Sequence, residues 1–143
     1  MVVKQISVFI ENKEGRIKKA VNAISKEGIN IRALSLADNT KYGILRLIVS
    51  DNEKTKEVLK AEHFIVKETE VLVVGVKDEP DGLNSTLEIF ENANLNVEYL
   101  YAFVSSKTDE AIVVIKIEDY EAAIKALTER NANILTEKDI NKL

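Results

Sequence analysis

The sequence predicts an α+β protein in which one βαββαβ unit occurs twice, each unit a four-stranded antiparallel sheet with two helices on one face. Three observations carry this reading. Apolar residues alternate in some segments and recur at helical spacing in others. The two kinds of segment follow the same order in both halves. Finally, a shift of 66 positions lays Ile6, Val8 and Ile10 on Leu72, Val74 and Val76, and Ile17, Val21 and Ile24 on Leu83, Leu87 and Phe90. "GINIRAL" from Gly28 then falls on "NLNVEYL" from Asn94. After one short insertion the shift becomes 68, and "LRLIVSDNEKTKEVL" falls on "VVIKIEDYEAAIKAL". Agreement over successive segments marks an internal repeat.

The elements follow in order. Residues 4–10 alternate, with Ile6, Val8 and Ile10 on one face of a half-buried strand. Ile17, Ala20, Val21 and Ile24 form the apolar stripe of a helix. Gly28 ends it, because a left-handed residue costs little only without a side chain; its counterpart Asn94 is the next most tolerant. Strands of about 30–37 and 43–49 lead to Asp51, which caps the second helix alone, since Lys54 stands where a reciprocal box would need Glu or Gln. A strand near 63–68 closes the unit. The second unit repeats this with strands at about 70–77, 96–104, 111–117 and 132–136, a helix stripe of Leu83, Leu87 and Phe90, and Asp119 as the cap. This is the split βαβ, or ferredoxin-like, arrangement.

The domains are expected at 1–69 and 70–143. "HFIVK" runs into "EVLVVGV" through "ET" alone, much shorter than a flexible linker, so the two are expected to be fixed against each other. Val71 and Val73 lie on the face opposite the helices, where the first unit has Gln5 and Ser7. The strand after Leu95 carries Val97, Tyr99, Tyr101 and Phe103 on one side and Leu100, Ala102 and Val104 on the other. A sheet apolar on both faces is covered on both. The cover is expected from the other domain or from a second subunit of a homodimer.

Composition narrows the function. A chain of 143 residues, 45% apolar and 31% charged, suits a soluble ordered protein. Its net charge of -4 argues against a general nucleic-acid binder. The absence of cysteine removes disulfides, thiolate nucleophiles and thiolate metal sites, and suits the cytoplasm. "MVVKQISVFI" lacks the features of a signal peptide, and "VLVVGV" falls far short of the roughly 20 residues that span a bilayer. Tyr99, Tyr101 and Phe103, with Tyr42, raise the possibility of an RNA-binding sheet. They alternate with apolar residues, however, and Arg16, Arg32 and Arg46 are a small electrostatic footprint. A buried strand explains the rings better. The lone His63 reads as structural or surface, and excludes the common zinc sets. No nucleophile elbow, phosphate loop or dinucleotide fingerprint occurs. "ENKE" and "KTDE" read as loops. Neither catalysis nor a cofactor is expected.

"VFIENKEGRIKKAVNAISKEGINIRALSLAD" resembles the ACT domain, a small regulatory module that senses amino acids. The shared pattern is a strand, an acidic or amide residue, Pro-Gly, a hydrophobic-rich helix, then Gly-x-Asn-Ile. "VGVKDEPDGLNSTLEIFENANLNVEYLYAF" repeats it, so the whole chain is similar to stand-alone proteins of two tandem ACT domains. There are departures. Glu14 stands where the pattern prefers proline, with Gly15 kept, which loosens the first turn. In the second copy Pro80 is kept, Asp81 replaces glycine and Gly82 follows; Asp81 is expected to accept a left-handed or Asx-type turn.

The resemblance implies a free amino acid bound at an interface between ACT domains, held by the turn after the first strand and the start of the first helix. The matching positions are Glu11, Asn12, Glu14, Gly15, Arg16 and Ile17, with Asn30 and Ile31 from the next strand. The second set is Lys77, Asp78, Pro80, Gly82 and Leu83, with Asn96 and Val97. The chemistry is consistent with this. Free N–H groups at a helix start favour a carboxylate, Asn12 and Asn30 both donate and accept, and Glu11 or Asp78 can pair with an ammonium. The competing reading is that Asn12 and Asp78 cap their helices and Gly15 and Gly82 permit the turns. The chain would then be a structural interaction module with no small ligand. Of the two copies, the first is expected to be the better ligand loop and the second to serve the interface. Any output would pass to a separate metabolic enzyme or regulator.

Overall fold

The computed structural model describes residues 1–37, 41–104 and 107–143. The N-terminal unit, Lys4–Thr69, holds β1 (Val3–Glu11), α1 (Arg16–Lys26), β2 (Ile31–Ala37), β3 (Tyr42–Val49) and α2 (Asn52–Ala61). The C-terminal unit, Glu70–Leu143 with Met1–Val3, holds α3 (Gly82–Asn92), β5 (Val97–Ala102), β6 (Glu110–Ile117), α4 (Tyr120–Glu129), β7 (Asn133–Ile134) and α5 (Glu137–Lys142). β4 (Ile65–Lys77) serves both. The two strands expected at 63–68 and 70–77 are thus one strand of 13 residues. The physical reason is plain: "ET" contains no glycine or proline to break an extended backbone.

Each unit is an α+β fold of the ferredoxin-like βαββαβ kind. The strand order is β2-β3-β1-β4 in the first and β5-β6-β4 in the second, with β7 also on β4. Pairing follows the repeat: Ile6, Val8 and Ile10 oppose Leu47, Leu45 and Gly43, while Leu72, Val74 and Val76 oppose Ile115, Val113 and Ala111. The outer strands β2 and β5 each carry a register break at the same place, between Ile31 and Ala33 and between Val97 and Tyr99.

The cores repeat as well. Ile6, Val8, Ile10, Leu45 and Leu47 take Ala20 and Ile24 of α1 and Leu59 of α2 onto one face. Leu72, Val74, Ile115 and Ile117 do the same with Phe90 of α3 and with Ala123 and Leu127 of α4. The helix stripes are shorter than their sequence spacing suggests, because Ile17 and Leu83 in the first turns remain exposed. On the opposite face Val71 and Val73 are fully buried, and Gln5 is buried with its amide donating to Ser7 Oγ at 3.0 Å. Tyr101 is buried, with Tyr99 stacked on it at 6.5 Å between centroids, so these rings do not form an open base-stacking platform. Leu100 and Val104 are exposed in the single chain, so the chain's own residues do not supply the cover expected on that side of the strand.

Local chemistry explains the helix ends. Gly28 (φ 70°) and Asn94 (φ 55°) end α1 and α3 in the left-handed region, and His63 (φ 67°) and Asn131 (φ 54°) do so after α2 and α4. His63 is therefore a turn residue; the strand begins at Ile65. Asp51 Oδ1 accepts from Lys54 N at 2.9 Å, and Asp119 Oδ1 from Ala122 N at 3.0 Å. The first residues of the same helices anchor the sheet. Asn52 Nδ2 donates to the Lys4 carbonyl at 3.0 Å, and the Tyr120 hydroxyl donates to the Glu70 carbonyl. Asp51→Ala and Asp119→Ala are each expected to lower unfolding free energy by about 1 kcal/mol, read from urea denaturation.

Candidate functional site

The turn after β1 is built by backbone bonds. Asn12 N donates to Lys41 O at 2.9 Å, Lys13 N to Glu11 O at 2.8 Å, Arg16 N to Lys13 O at 3.3 Å and Lys19 N to Gly15 O at 2.9 Å. The turn after β4 repeats the last three 66 positions on: Glu79 N to Lys77 O at 2.9 Å, Gly82 N to Glu79 O at 3.0 Å and Ser85 N to Asp81 O at 2.9 Å. The hydrogen-bonding frame is shared, but the glycines are displaced by one residue and do different things. Gly15 occupies the N-cap of α1 at φ 79°, where a side chain would be strained although the space around it is open. Gly82 is needed for close approach: a Cβ there would lie 1.9 Å from the Lys77 carbonyl oxygen.

Asp81, at the N-cap of α3, is right-handed at φ -95°, so of the two forms expected there, left-handed or Asx-type, the left-handed one does not occur. Its carboxylate accepts from Ser85 Oγ at 2.7 Å and Asn84 Nδ2 at 3.1 Å. The Ser85 bond first, and the Asn84 bond second, hold its pKa below the ordinary aspartate value.

Capping separates these two helices from the others. α2, α4 and α5 each have a side-chain N-cap, from Asp51, Asp119 and Thr136. α1 and α3 start at Gly15 and Asp81 with no side-chain cap bond. Neither Asn12 nor Asp78 sits at the cap position, so the reading that they serve as helix caps does not hold. At both turns the first helical N–H is taken by a backbone carbonyl, and no side chain bonds the N–H groups that follow.

Beside the first turn is a cavity of 50 Å³, bounded by Glu11, Asn12, Lys13, Ile17, Leu36 and Gly43. Ile17 and Leu36 leave 42% and 46% of their surface exposed beside it. Gly43 keeps it open, since a Cβ would stand 3.1 Å from both Leu36 Cδ1 and the Ala37 carbonyl oxygen. Leu36 and Gly43 were not readable as site residues; they reach the turn only through the β1–β3–β2 pairing. Glu11 Oε2 holds Lys13 Nζ at 3.2 Å and Arg16 Nη2 at 3.9 Å, loose contacts between half-exposed groups that a ligand could exchange. Glu14 is exposed beside Gly15.

The structure brings Glu11, Asn12 and Ile17 together, with Gly15 and Arg16 on the same turn. It does not bring Asn30 and Ile31 there. Ile31 opposes Val49, whereas the turn end of the sheet is marked by Ile10 opposite Gly43 and Ala37 opposite Ile44. Seven residues of β2 put Asn30 about 20 Å away. There its N–H donates to Ser50 Oγ at 3.0 Å and its carbonyl accepts from Ser50 N at 3.0 Å. In the C-terminal unit Asp78, Gly82 and Leu83 lie at the turn, and Asn96 lies at the far end near Glu118 and Asp119. Among the described residues no group of acidic, histidine and cysteine side chains could hold a metal ion, and no helix is long and apolar enough to cross a membrane.

Two βαββαβ units in tandem, each ending its leading strand in a bonded turn against a helix without a side-chain N-cap bond, define a tandem-domain α+β architecture. The chain belongs to the ACT domain pair family, which matches residues 1–143. It is similar to the solved protein BT0572 from Bacteroides thetaiotaomicron, at 36% identity and a TM-score of 0.92, covering 100% of this chain and 98% of that one. The fold is shared with the regulatory subunit of aspartate kinase from Thermus thermophilus, in a ligand-free form, at 18% identity and a TM-score of 0.60 over 88% of this chain and 90% of that one. The corresponding subunit from Thermus flavus gives 19% identity and a TM-score of 0.58, with the same coverage. Comparison with curated protein sequences returns no match.

Two outcomes follow from the turn geometry. Gly82→Ala is expected to cost about 3 kcal/mol of stability, by forcing Cβ against a backbone carbonyl, and Gly15→Ala about 1 kcal/mol, from the left-handed backbone alone; urea titration separates them. Asp81 has its pKa lowered by folding, so its bonds stabilise the protein above the ordinary aspartate pKa, and the gain is lost as pH falls through the folded-state value. Ser85→Ala should therefore be less stable than the parent at neutral pH. The difference should shrink on acidification through that range, with the Asp81 pKa moving up in a carboxyl NMR titration.

Proposed function

We propose that this protein is a non-catalytic sensor that binds a free amino acid at an interface between ACT domains, with 1–69 and 70–143 as its two domains. The observation that carries this is the uncapped start of α1 over a cavity walled by Glu11, Asn12 and Ile17. The ligand carboxylate would take the open N–H groups of the helix start. Its ammonium would take the Asn12 amide oxygen and draw Glu11 from Lys13 and Arg16. Its side chain would lie against Ile17 and Leu36.

A cavity of 50 Å³ is far below the roughly 300–1,000 Å³ of small-molecule sites. That size, with the exposed walls, supports a half-site completed by another domain, and a homodimer is the assembly we propose. Asn30 and Ile31 would then act from the copy opposite, as Asn96 would for the turn at Asp78, Gly82 and Leu83. The first turn is the better ligand loop of the two, because it has the open left-handed glycine and the cavity. A separate metabolic enzyme or regulator in the cytoplasm would receive the signal, by preferring one of two arrangements that the ligand stabilises unequally. The exposed Leu34 and Leu36 on β2 favour a second reading, a protein-interaction module that binds no small molecule.

The two readings part in a thermal-shift screen of the twenty amino acids on the full chain, confirmed by calorimetry. The sensor reading expects one or a few to raise the melting temperature, with a stabilisation of about 2.7 kcal/mol at a hundredfold excess over Kd. Ile17→Asp should remove the response while leaving the fold intact. If none of the twenty acts at millimolar concentration, the interaction module is the correct reading.

A further inference from the structure

Of the five glycines in the chain, Gly82 alone follows an aspartate or asparagine. Such a pair is chemically reactive, because glycine has no side chain to shield its N–H from the neighbouring carboxyl group. The Gly82 nitrogen can attack Cγ of Asp81. A C–N bond forms, a Cγ–OH bond breaks, and the displaced hydroxyl leaves with the nitrogen's proton as water. The product is a five-membered succinimide. Water then adds back at one of its two carbonyls. Opening at Cγ restores aspartate; opening at the backbone carbonyl leaves isoaspartate, with the chain running through the side chain.

The fold does not require this pair. The shift of 66 lays Asp81 on Gly15 and Gly82 on Arg16, and the residue before Gly15 is Glu14. A glutamate has one more methylene, so its ring would have six members and closes far less readily. The first turn keeps three of the same backbone bonds with no reactive pair in it. The second turn carries the chemistry alone.

The native turn opposes ring closure in three ways. Asp81 sits at φ -95° and ψ -2°, and the Gly82 N–H donates to the Glu79 carbonyl at 3.0 Å. Ring closure must turn the Gly82 peptide plane about ψ, which breaks that bond. It also disturbs the bond from Ser85 N to the Asp81 carbonyl at 2.9 Å. Next, the carboxylate is engaged toward the helix, by Ser85 Oγ at 2.7 Å and Asn84 Nδ2 at 3.1 Å. Those two bonds, Ser85 first, hold its pKa low and keep it ionised, the form that resists a nucleophile. Last, Gly82 is packed so closely that even a Cβ would stand 1.9 Å from the Lys77 carbonyl oxygen, which leaves no room for a lengthened backbone.

We propose that Asp81–Gly82 is a latent backbone-isomerisation site, closed in the native turn after β4 and reactive whenever the start of α3 opens. Helix ends open locally far more often than a whole domain unfolds, so the first turn of α3 is the gate. Isoaspartate at position 81 would withdraw the carboxylate from Ser85 and Asn84 and lengthen the backbone at Gly82. The lesion would therefore undo the second turn and leave the first intact. This holds whether or not the chain binds a small molecule.

The test ages the full chain at neutral pH, folded in buffer and unfolded in concentrated urea. Isoaspartate is counted by enzymatic methylation of its free carboxylate and located by fragment mass spectrometry. In urea it is expected at position 81 at least tenfold faster than in the folded chain. Asp81→Glu, which lengthens the ring, should abolish the signal there. Ser85→Ala should raise the folded-state rate at least threefold. Asp119→Ala, which removes the cap of α4 in the same unit, should leave that rate within about twofold of the parent. Equal rates in buffer and in urea overturn the closure. Equal acceleration by Ser85→Ala and Asp119→Ala assigns the gate to unfolding of the whole unit and overturns the local one. Isoaspartate that forms in urea elsewhere and not at position 81 overturns the site.

Discussion

Each unit depends on burying one face of its leading strand. Ile6, Val8 and Ile10 in β1, and Leu72, Val74 and Val76 in β4, are all within 5% of full burial. At about 1.5–3 kcal/mol for each fully buried side chain, these faces and the helix residues laid on them are the main favourable term. Burial demands strict alternation, so the strand cannot turn polar on that face until it leaves the sheet. The polar residues Glu11 to Arg16, and Lys77 to Asp81, come where that demand ends. The chemistry sits at the strand end because it is the first place where the core no longer dictates the side chains.

Features governed by one local rule were legible from the sequence. The repeat exposed the alternation, Gly28 and Asn94 fell where a helix must end left-handed, and Asp51 and Asp119 fell where an isolated carboxylate caps. What could not be read depended on three-dimensional neighbours. Leu36 and Gly43 join the first turn only through strand pairing. The displacement between Gly15 and Gly82 looks like a one-residue slip in sequence, yet one glycine answers a dihedral angle and the other a carbonyl 1.9 Å from its missing Cβ. Asn30 follows the turn closely along the family pattern, but β2 begins at the far end of the sheet, and a linear motif does not record which end.

The repeat also works as an internal control. Where both copies keep a feature, such as the bonds that close the two turns, the feature belongs to the architecture. Where one copy departs, the departure is free of that requirement. Phe9 against Gly75, and Ile65 against Asn133, occupy the same ladder positions beside the same turn, with opposite consequences for the space around them. A duplicated fold of this size can thus hold one half to structural duty while the other retains open surface.

The paired register breaks have a consequence for solubility. β2 and β5 are the outermost strands in the order, each with exposed leucines, Leu34 and Leu36 in one and Leu100 in the other. An outer strand of that kind is a template on which any extended chain can add. The breaks fall at Arg32 and Glu98, one cation and one anion, and interrupt the even ladder such addition needs. Each edge is therefore guarded against indiscriminate strand growth, and the charges at the two breaks make the guards unlike. The protein can keep greasy margins available for a chosen neighbour without becoming a seed for fibres.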